Sequence, residues 1–286
     1  MTTAAENRAK LTAPAIRQMK AEGTPVVMVT AYDYPTARAV EAAQLEAILV
    51  GDSLGMVVLG YESTVPVTMD DMIHHTRAVM RGVETVHVVA DLPFMSYQIS
   101  ETQAVENAGR LMKEGGADAV KLEGGRTMAT KIAAIVSAGI PVMAHIGLTP
   151  QTASALGGFK VQGRSLEAAK GVIDDALAVE AAGAYSVVLE AVPRQLAKII
   201  TSRLSIPTIG IGAGIECDGQ VLVNGDLLGA YDRFTPRFAK RYAELQSVMQ
   251  DAFRSFADEV RSGAFPTKEH GFAISRDVLE QLEGGM

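Results

Sequence analysis

The sequence predicts a closed (β/α)8 barrel with an N-terminal capping helix and a C-terminal helical extension. Three observations lead there. Apolar runs of strand length recur eight times, each ending in a charged or Gly-rich tip and most followed by a helical stretch. Strand–helix alternation implies parallel pairing, and eight repeats favour closure over an open sheet. The composition, 48% hydrophobic with few aromatics and no Trp, suits small and β-branched strands covered on both faces. The length of 286 residues fits one barrel domain of about 250 residues plus extensions.

The first run is Val26–Asp33 and the second Ala47–Asp52. The third is Val86–Pro93, the fourth Ala119–Gly124, the fifth Pro141–Leu148. Tyr185–Val192 and Pro207–Gly212 follow, and the shortest, around Gln220–Val223, is the eighth. Glu101–Glu114 and Ser165–Ala182 carry apolar residues at helical spacing, and EGGADAV, SAGIPV and AAGAYS place Gly where helices close. Thr12–Glu22, with Gly23 after it, reads as a helix capping the N-terminal mouth. The strand region spans about 26–228 and the helical extension about 231–286. In that extension Arg237–Arg261 reads as one amphipathic helix, with Phe238, Tyr242, Leu245, Met249, Phe253, Phe256 and Val260 on a stripe. Such a stripe must be buried, against the barrel wall or against another subunit. Phe265–Phe272 is expected to be an arm, and the last dozen residues to fray.

Net charge is −7 and no Lys/Arg run occurs, which argues against a nucleic-acid partner. No apolar segment approaches a membrane span. The polar N-terminus lacks the apolar stretch of a signal peptide, and a lone Cys217 fits a reducing, cytoplasmic setting.

Barrel enzymes place their chemistry at the C-terminal ends of the strands. Asp52 and Ser53 close the second run, Asp91 the third, Lys121 and Glu123 the fourth; His145 lies in the fifth and Glu190 in the sixth. Asp52, Asp91 and Glu123 come from consecutive strands. Three converging carboxylates repel unless a cation or protons compensate, and an all-oxygen set suits a hard ion such as Mg2+. Lys121, two residues before Glu123, shares its face and would attract an anionic substrate. A Schiff base on Lys121 is the weaker alternative. Glu190, away from this cluster in strand order and flanked by apolar residues, suits a general base. His145 could bind metal, relay a proton or only hydrogen-bond. Gly210–Gly214 (GIGAG) could cradle phosphate but more often marks close backbone packing. Cys217, His74 and His75 read as structural or surface residues, and Asp218 and Asp226 as turn residues.

Nine stretches in order, TAYDYPTA (30–37), VGDSLGMV (50–57), ADLPFMSY (90–97), VKLEGG (120–125), AHIGLTPQ (144–151), VLEAVP (188–193), IGIGAG (209–214), DGQVLV (218–223) and DLLG (226–229), carry a resemblance across nearly the whole barrel. By them the chain resembles the ketopantoate hydroxymethyltransferase family. The resemblance implies transfer of the one-carbon unit of 5,10-methylenetetrahydrofolate to C3 of 3-methyl-2-oxobutanoate, giving 2-dehydropantoate in pantothenate biosynthesis. It implies that Asp52, Asp91 and Glu123 hold Mg2+, directly or through water. It further implies that Ser53 and Lys121, with Asp52 and Asp91, bind the keto acid. Glu190 would be the base, with His145 assisting at the hydroxymethyl group. A cytoplasmic homodecamer is also implied. GDSLGMV is similar to the wider phosphoenolpyruvate mutase/isocitrate lyase superfamily, so an oxo-acid lyase or mutase is the alternative. Lyases of that group carry a cysteine-bearing loop where this chain has VKLEGGRTM without Cys.

Overall fold

The computed structural model describes residues 8–231 and 236–285. The first seven residues of the polar N-terminus, four in the C-terminal extension and the final Met lie outside the described residues. Eight parallel strands close in sequence order: β1 (Val26–Thr30), β2 (Ala47–Val50), β3 (His87–Asp91), β4 (Ala119–Glu123), β5 (Val142–Gly147), β6 (Ser186–Glu190), β7 (Thr208–Ile211) and β8 (Gly219–Leu222). The predicted closed barrel is therefore the observed one. The strands are shorter than the apolar runs, because each run also includes the tip that turns over the barrel rim.

Helices α1 (Ala13–Glu22), α2 (Tyr34–Ala42), α3 (Leu54–Val57), α4 (Met69–Met80) and α5 (Glu101–Arg110) cover the first half. The second half is covered by α6 (Ala129–Ser137), α7 (Leu166–Ala181), α8 (Arg194–Arg203) and α9 (Asn224–Leu228), and α10 (Leu245–Ser262) and α11 (Arg276–Gly284) follow. Local signals set their ends. Thr12, Asp33, Thr68, Ser100 and Ser165 each accept a backbone N–H at a helix start, worth about 1 kcal/mol per cap. Gly23, at φ +67°, stops α1 in a conformation that costs other residues a Cβ clash. The Glu101–Glu114 helix ends as a π turn over Leu111–Gly115.

Two apolar layers hold the barrel. The outer one joins strands to helices, through residues such as Ile48, Val88, Leu122, Ile132 and Leu189. The inner one fills the lower barrel with Met28, Leu49, Val89, Met143 and Val188, and α1 closes it with Ala13, Ile16 and Met19. The N-terminal helix thus plugs the mouth as its pattern predicts. Each such fully buried side chain contributes about 1.5–3 kcal/mol. Beside that plug, His87 Nε2 meets the Tyr185 hydroxyl at 2.9 Å.

The C-terminal extension departs from expectation in three ways. The long helix begins at Leu245, not Arg237. Before it the chain is pinned to α9, with Tyr242 N–H donating to Leu227 O, and the first turn of α10 is tied to the residue capping α9 by Gln246 N–H donating to Gly229 O. Phe238 leaves the stripe and lies over Gly212, where a Cβ would stand 2.8 Å from its ring. The stripe is not packed on the barrel wall either: α10 has no buried residue, and Phe253 and Phe256 are 70% and 56% exposed. Finally, Arg276–Gly284 within the last dozen residues form α11, where Arg276 and Glu280 pair one turn apart, rather than fraying. Among the described residues no helix is long and apolar enough to cross a membrane.

Candidate active site

Parallel register brings the predicted residues together. Asp91 on β3 is paired with Lys121 on β4, and Glu123 with His145 on β5. Residues in register face the same side, and so do Lys121 and Glu123 two apart. All four side chains therefore converge inside the barrel's upper end, and all four are buried. Gly147 is paired with Glu190 on β6, which sets the Glu190 carboxylate 3.1 Å from His145 Nε2. Strand order alone separates Glu190 from the carboxylate cluster; His145 links them. Ala191, just beyond, holds φ +48°, a conformation costly for a residue with a Cβ.

Asp52 follows β2 through Gly51. A Cβ at Gly51 would lie 2.8 Å from Ser53 Oγ and 3.4 Å from Asp91 Oδ2, so a side chain there would push Ser53 Oγ from its place. The Asp52 N–H donates to Asp91 Oδ2 at 3.0 Å, and Ser53 Oγ is 2.8 Å from the Tyr32 hydroxyl. The other Asp91 oxygen, Oδ1, is 3.1 Å from Lys121 Nζ yet is buried without a well-directed hydrogen bond. Lys121 Nζ also lies 3.1 Å from His145 Nδ1.

The electrostatics follow from this crowding. Burial pushes the Asp52 carboxyl well above the usual range; Asp91 and Glu123 add to that, and Lys121 and Gln151 work against it. Asp91 is also raised by burial, with Lys121 and the Asp52 N–H opposing. For Lys121 burial acts against the charge, but Asp91, Glu123 and Asp52 outweigh it and raise the pKa. At His145 burial and Lys121 lower the pKa, and the neighbouring Glu123 and Glu190 carboxylates prevail, raising it to about 9. Carboxylates of Asp52, Asp91 and Glu123 thus share one buried pocket with Lys121 and His145.

Two residues escaped the sequence reading. Gln151 Nε2 donates to Asp52 Oδ2 and to Leu92 O, both at 2.9 Å, and its backbone N–H donates to Glu123 Oε2 at 3.0 Å. Tyr97 donates to Gln151 Oε1 at 2.6 Å, and its oxygen accepts from the Glu123 N–H. A neutral amide and a phenol carry no charge to betray a site. Their signal was their place at the ends of AHIGLTPQ and ADLPFMSY. Asp226 needs correction: it sits on α9 and is buried, not in a turn, because β8 ends at Leu222 and the helix starts at once. Asp218 does hold a turn, gripping the Thr208 N–H and Lys20. The GIGAG glycines serve close packing, with Gly210 against Cys217, Gly212 against Phe238 and Gly214 against Arg194. His75 bonds Tyr32 O at 2.7 Å, a structural role.

Above the cluster lies a cavity of about 380 Å3, within the ~300–1,000 Å3 range of small-molecule sites. Asp52, Ser53, Asp91, Lys121, Glu123, His145 and Glu190 all line it.

A family model described as ketopantoate hydroxymethyltransferase matches residues 10–268. The chain is 59% identical over 273 residues to a 3-methyl-2-oxobutanoate hydroxymethyltransferase of Enterococcus faecalis, covering 96% of this chain and 99% of that one. It is 55% identical to the protein of the same name from Carboxydothermus hydrogenoformans, with the same coverage. Among solved structures, a phosphonopyruvate hydrolase matches with a TM-score of 0.60 at 14% identity, over 96% of both chains. A 2,3-dimethylmalate lyase of the PEP mutase/isocitrate lyase superfamily matches with 0.60 at 16% identity, over 96% of this chain and 95% of that one. These two likenesses speak to the fold alone.

Proposed function

The chain belongs to the ketopantoate hydroxymethyltransferase family, and from that premise we propose how it carries out hydroxymethyl transfer. The substrates are 3-methyl-2-oxobutanoate and 5,10-methylenetetrahydrofolate, and the products are 2-dehydropantoate and tetrahydrofolate. One observation carries the reading. Three buried carboxylates and one lysine meet at the cavity floor, and a fourth carboxylate, Glu190, approaches from the side on His145.

The donor set fits Mg2+. It is all oxygen, net negative, and includes the poorly satisfied Asp91 Oδ1. Among the described residues no group of three His, Cys, Asp or Glu is placed to hold a metal ion by itself, so waters and substrate oxygens would have to complete the shell. Asp52, Asp91 and Glu123 would hold it, directly or through water. Bound there, it supplies Lewis acidity that makes C3 of a 2-oxo acid easier to deprotonate.

The chain's own residues do the rest. Lys121 draws in the substrate carboxylate, and Ser53 hydrogen-bonds to the same anion. Glu190 removes the C3 proton, oriented by the His145 Nε2 contact. The resulting carbanion forms a C–C bond to the folate methylene as the methylene–nitrogen bonds break. One water is consumed; its oxygen ends in the new hydroxymethyl group, which His145 faces, and its two protons together with the C3 proton taken by Glu190 supply the hydroxyl hydrogen and the two N–H hydrogens of tetrahydrofolate. The exposed α10 stripe supports assembly into a homo-oligomer, read as a decamer on the family resemblance, in a cytoplasmic setting.

The test is proton exchange at C3 of 3-methyl-2-oxobutanoate in D2O, followed by NMR. The expected result is exchange that needs Mg2+, stops with EDTA and disappears in Glu190→Gln while keto-acid binding persists. Retained exchange in Glu190→Gln removes Glu190 as the base. Absence of exchange from the wild type, with and without the folate, removes this substrate.

A further inference from the structure

The keto acid and its cluster leave much of the cavity lining unassigned. Val57, Val223, Tyr231 and Phe238 belong to that remainder. One carboxylate interrupts the apolar wall. Asp226 on α9 lines the cavity and is 6% exposed. Among the described residues no hydrogen bond and no ion pair reaches its carboxyl group; the nearest charge effect is that of Arg241. Thr64 lines the same cavity, is 4% exposed, and its hydroxyl is buried without a partner. Both line one cavity. A Cβ at Gly225, next to Asp226, would lie 3.8 Å from Val57 Cβ, so α9 runs beside α3, and the segment bearing Thr64 follows α3.

Unpaired buried polar groups are expensive, and a native chain keeps them where a ligand pairs them. Several properties select that ligand. An anion is disfavoured beside Asp226, so the keto acid belongs at Lys121 and something neutral and donor-rich belongs here. A carboxylate is an acceptor-only fork, which matches two adjacent N–H groups. Tyr231 and Phe238 offer aromatic surface to a flat ring system. The 2-amino-4-oxo edge of a tetrahydropterin presents such a pair, N3–H and a 2-amino hydrogen. Resting on the folate reading above, we propose that Asp226 binds the pterin ring of the co-substrate by accepting from N3–H and the 2-amino group. Thr64 is the second polar contact at that pole. Burial pushes the Asp226 pKa up to about 6, with Arg241 opposing, which leaves the acceptor form dominant at neutral pH. Lys160 and Arg237 also line the cavity, and both are exposed.

The experiment is calorimetric binding of tetrahydrofolate and of its 2-desamino-2-methyl analogue to wild type, Asp226→Asn and Asp226→Glu. Wild type is expected to prefer tetrahydrofolate by about 10–100-fold, the value of a charge-assisted donor pair. In Asp226→Asn the preference should collapse to within about threefold, since the amide places a donor against a donor. Asp226→Glu should recover part of it. A merely structural aspartate would weaken both ligands equally and leave the ratio unchanged. A ratio preserved in Asp226→Asn overturns the assignment, and so does a wild type that binds both ligands alike. A wild type that binds neither overturns the folate reading itself, and the assignment with it. The wild-type ratio decides the matter even where Asp226→Asn fails to fold.

Discussion

Gln151→Met removes the amide that ties the cavity floor together while keeping side-chain length. Two buried groups lose their partner, Asp52 Oδ2 and Leu92 O, each 2.9 Å from Nε2; the Tyr97 hydroxyl, 2.6 Å from Oε1, keeps Glu123 O at 3.1 Å. Stranding the neutral carbonyl costs about 1 kcal/mol and stranding the carboxylate about 3 kcal/mol. Methionine returns about 1 kcal/mol through the apolar surface it buries. The net loss is about 3 kcal/mol, a large part of a domain's usual 5–15 kcal/mol. The backbone contact from residue 151 to Glu123 survives, so the loss reports on the side chain. Urea unfolding at matched protein concentration measures it, and Mg2+-dependent C3 exchange measures whether Asp52 has moved. A loss below about 1 kcal/mol with exchange intact would refute the view that Gln151 holds Asp52 in place.

Asp91→Ala should raise the Mg2+ concentration giving half-maximal exchange by at least about tenfold, equivalent to about 1.5 kcal/mol of lost charge-assisted contact; an unchanged Mg2+ titration would remove Asp91 from the metal shell. His87 is fully buried, and burial lowers its pKa to about 4 against the opposing pull of Asp118 and Leu11 O. Between pH 6.5 and about 4 the unfolded chain therefore takes up a proton that the folded chain refuses, and stability falls as pH drops through that window, by about 3 kcal/mol in all. His87→Gln should lose that part of the slope, and equal slopes for the two proteins would show that His87 is not its source. Phe253→Glu should lower the molar mass seen by light scattering, because it puts a charge on the exposed stripe of α10; an unchanged mass would place the subunit contact elsewhere.

What could be read in the chain before folding was whatever repeats or carries charge. The eight apolar runs determined the barrel, because parallel strands buried on both faces must be apolar throughout. Charged residues inside those runs marked Asp52, Asp91, Lys121, Glu123, His145 and Glu190, because a charge there needs a strong reason. The motifs around them determined the family. Tertiary structure decided the rest. It took register to set Asp91 against Lys121 and to join Glu190 to the cluster through His145. It took the turn after β5 to swing Gln151 under Asp52, since neutral donors leave no mark in a sequence. The stripe of α10 was legible as apolar, but whether it meets the barrel or solvent depends on where the chain travels after α9. Asp226 looked like a loop aspartate until β8 ended early and carried it into the cavity wall. Periodicity and charge are local and survive in one dimension; register, burial and the pairing of a given polar atom arise only when distant segments pack together.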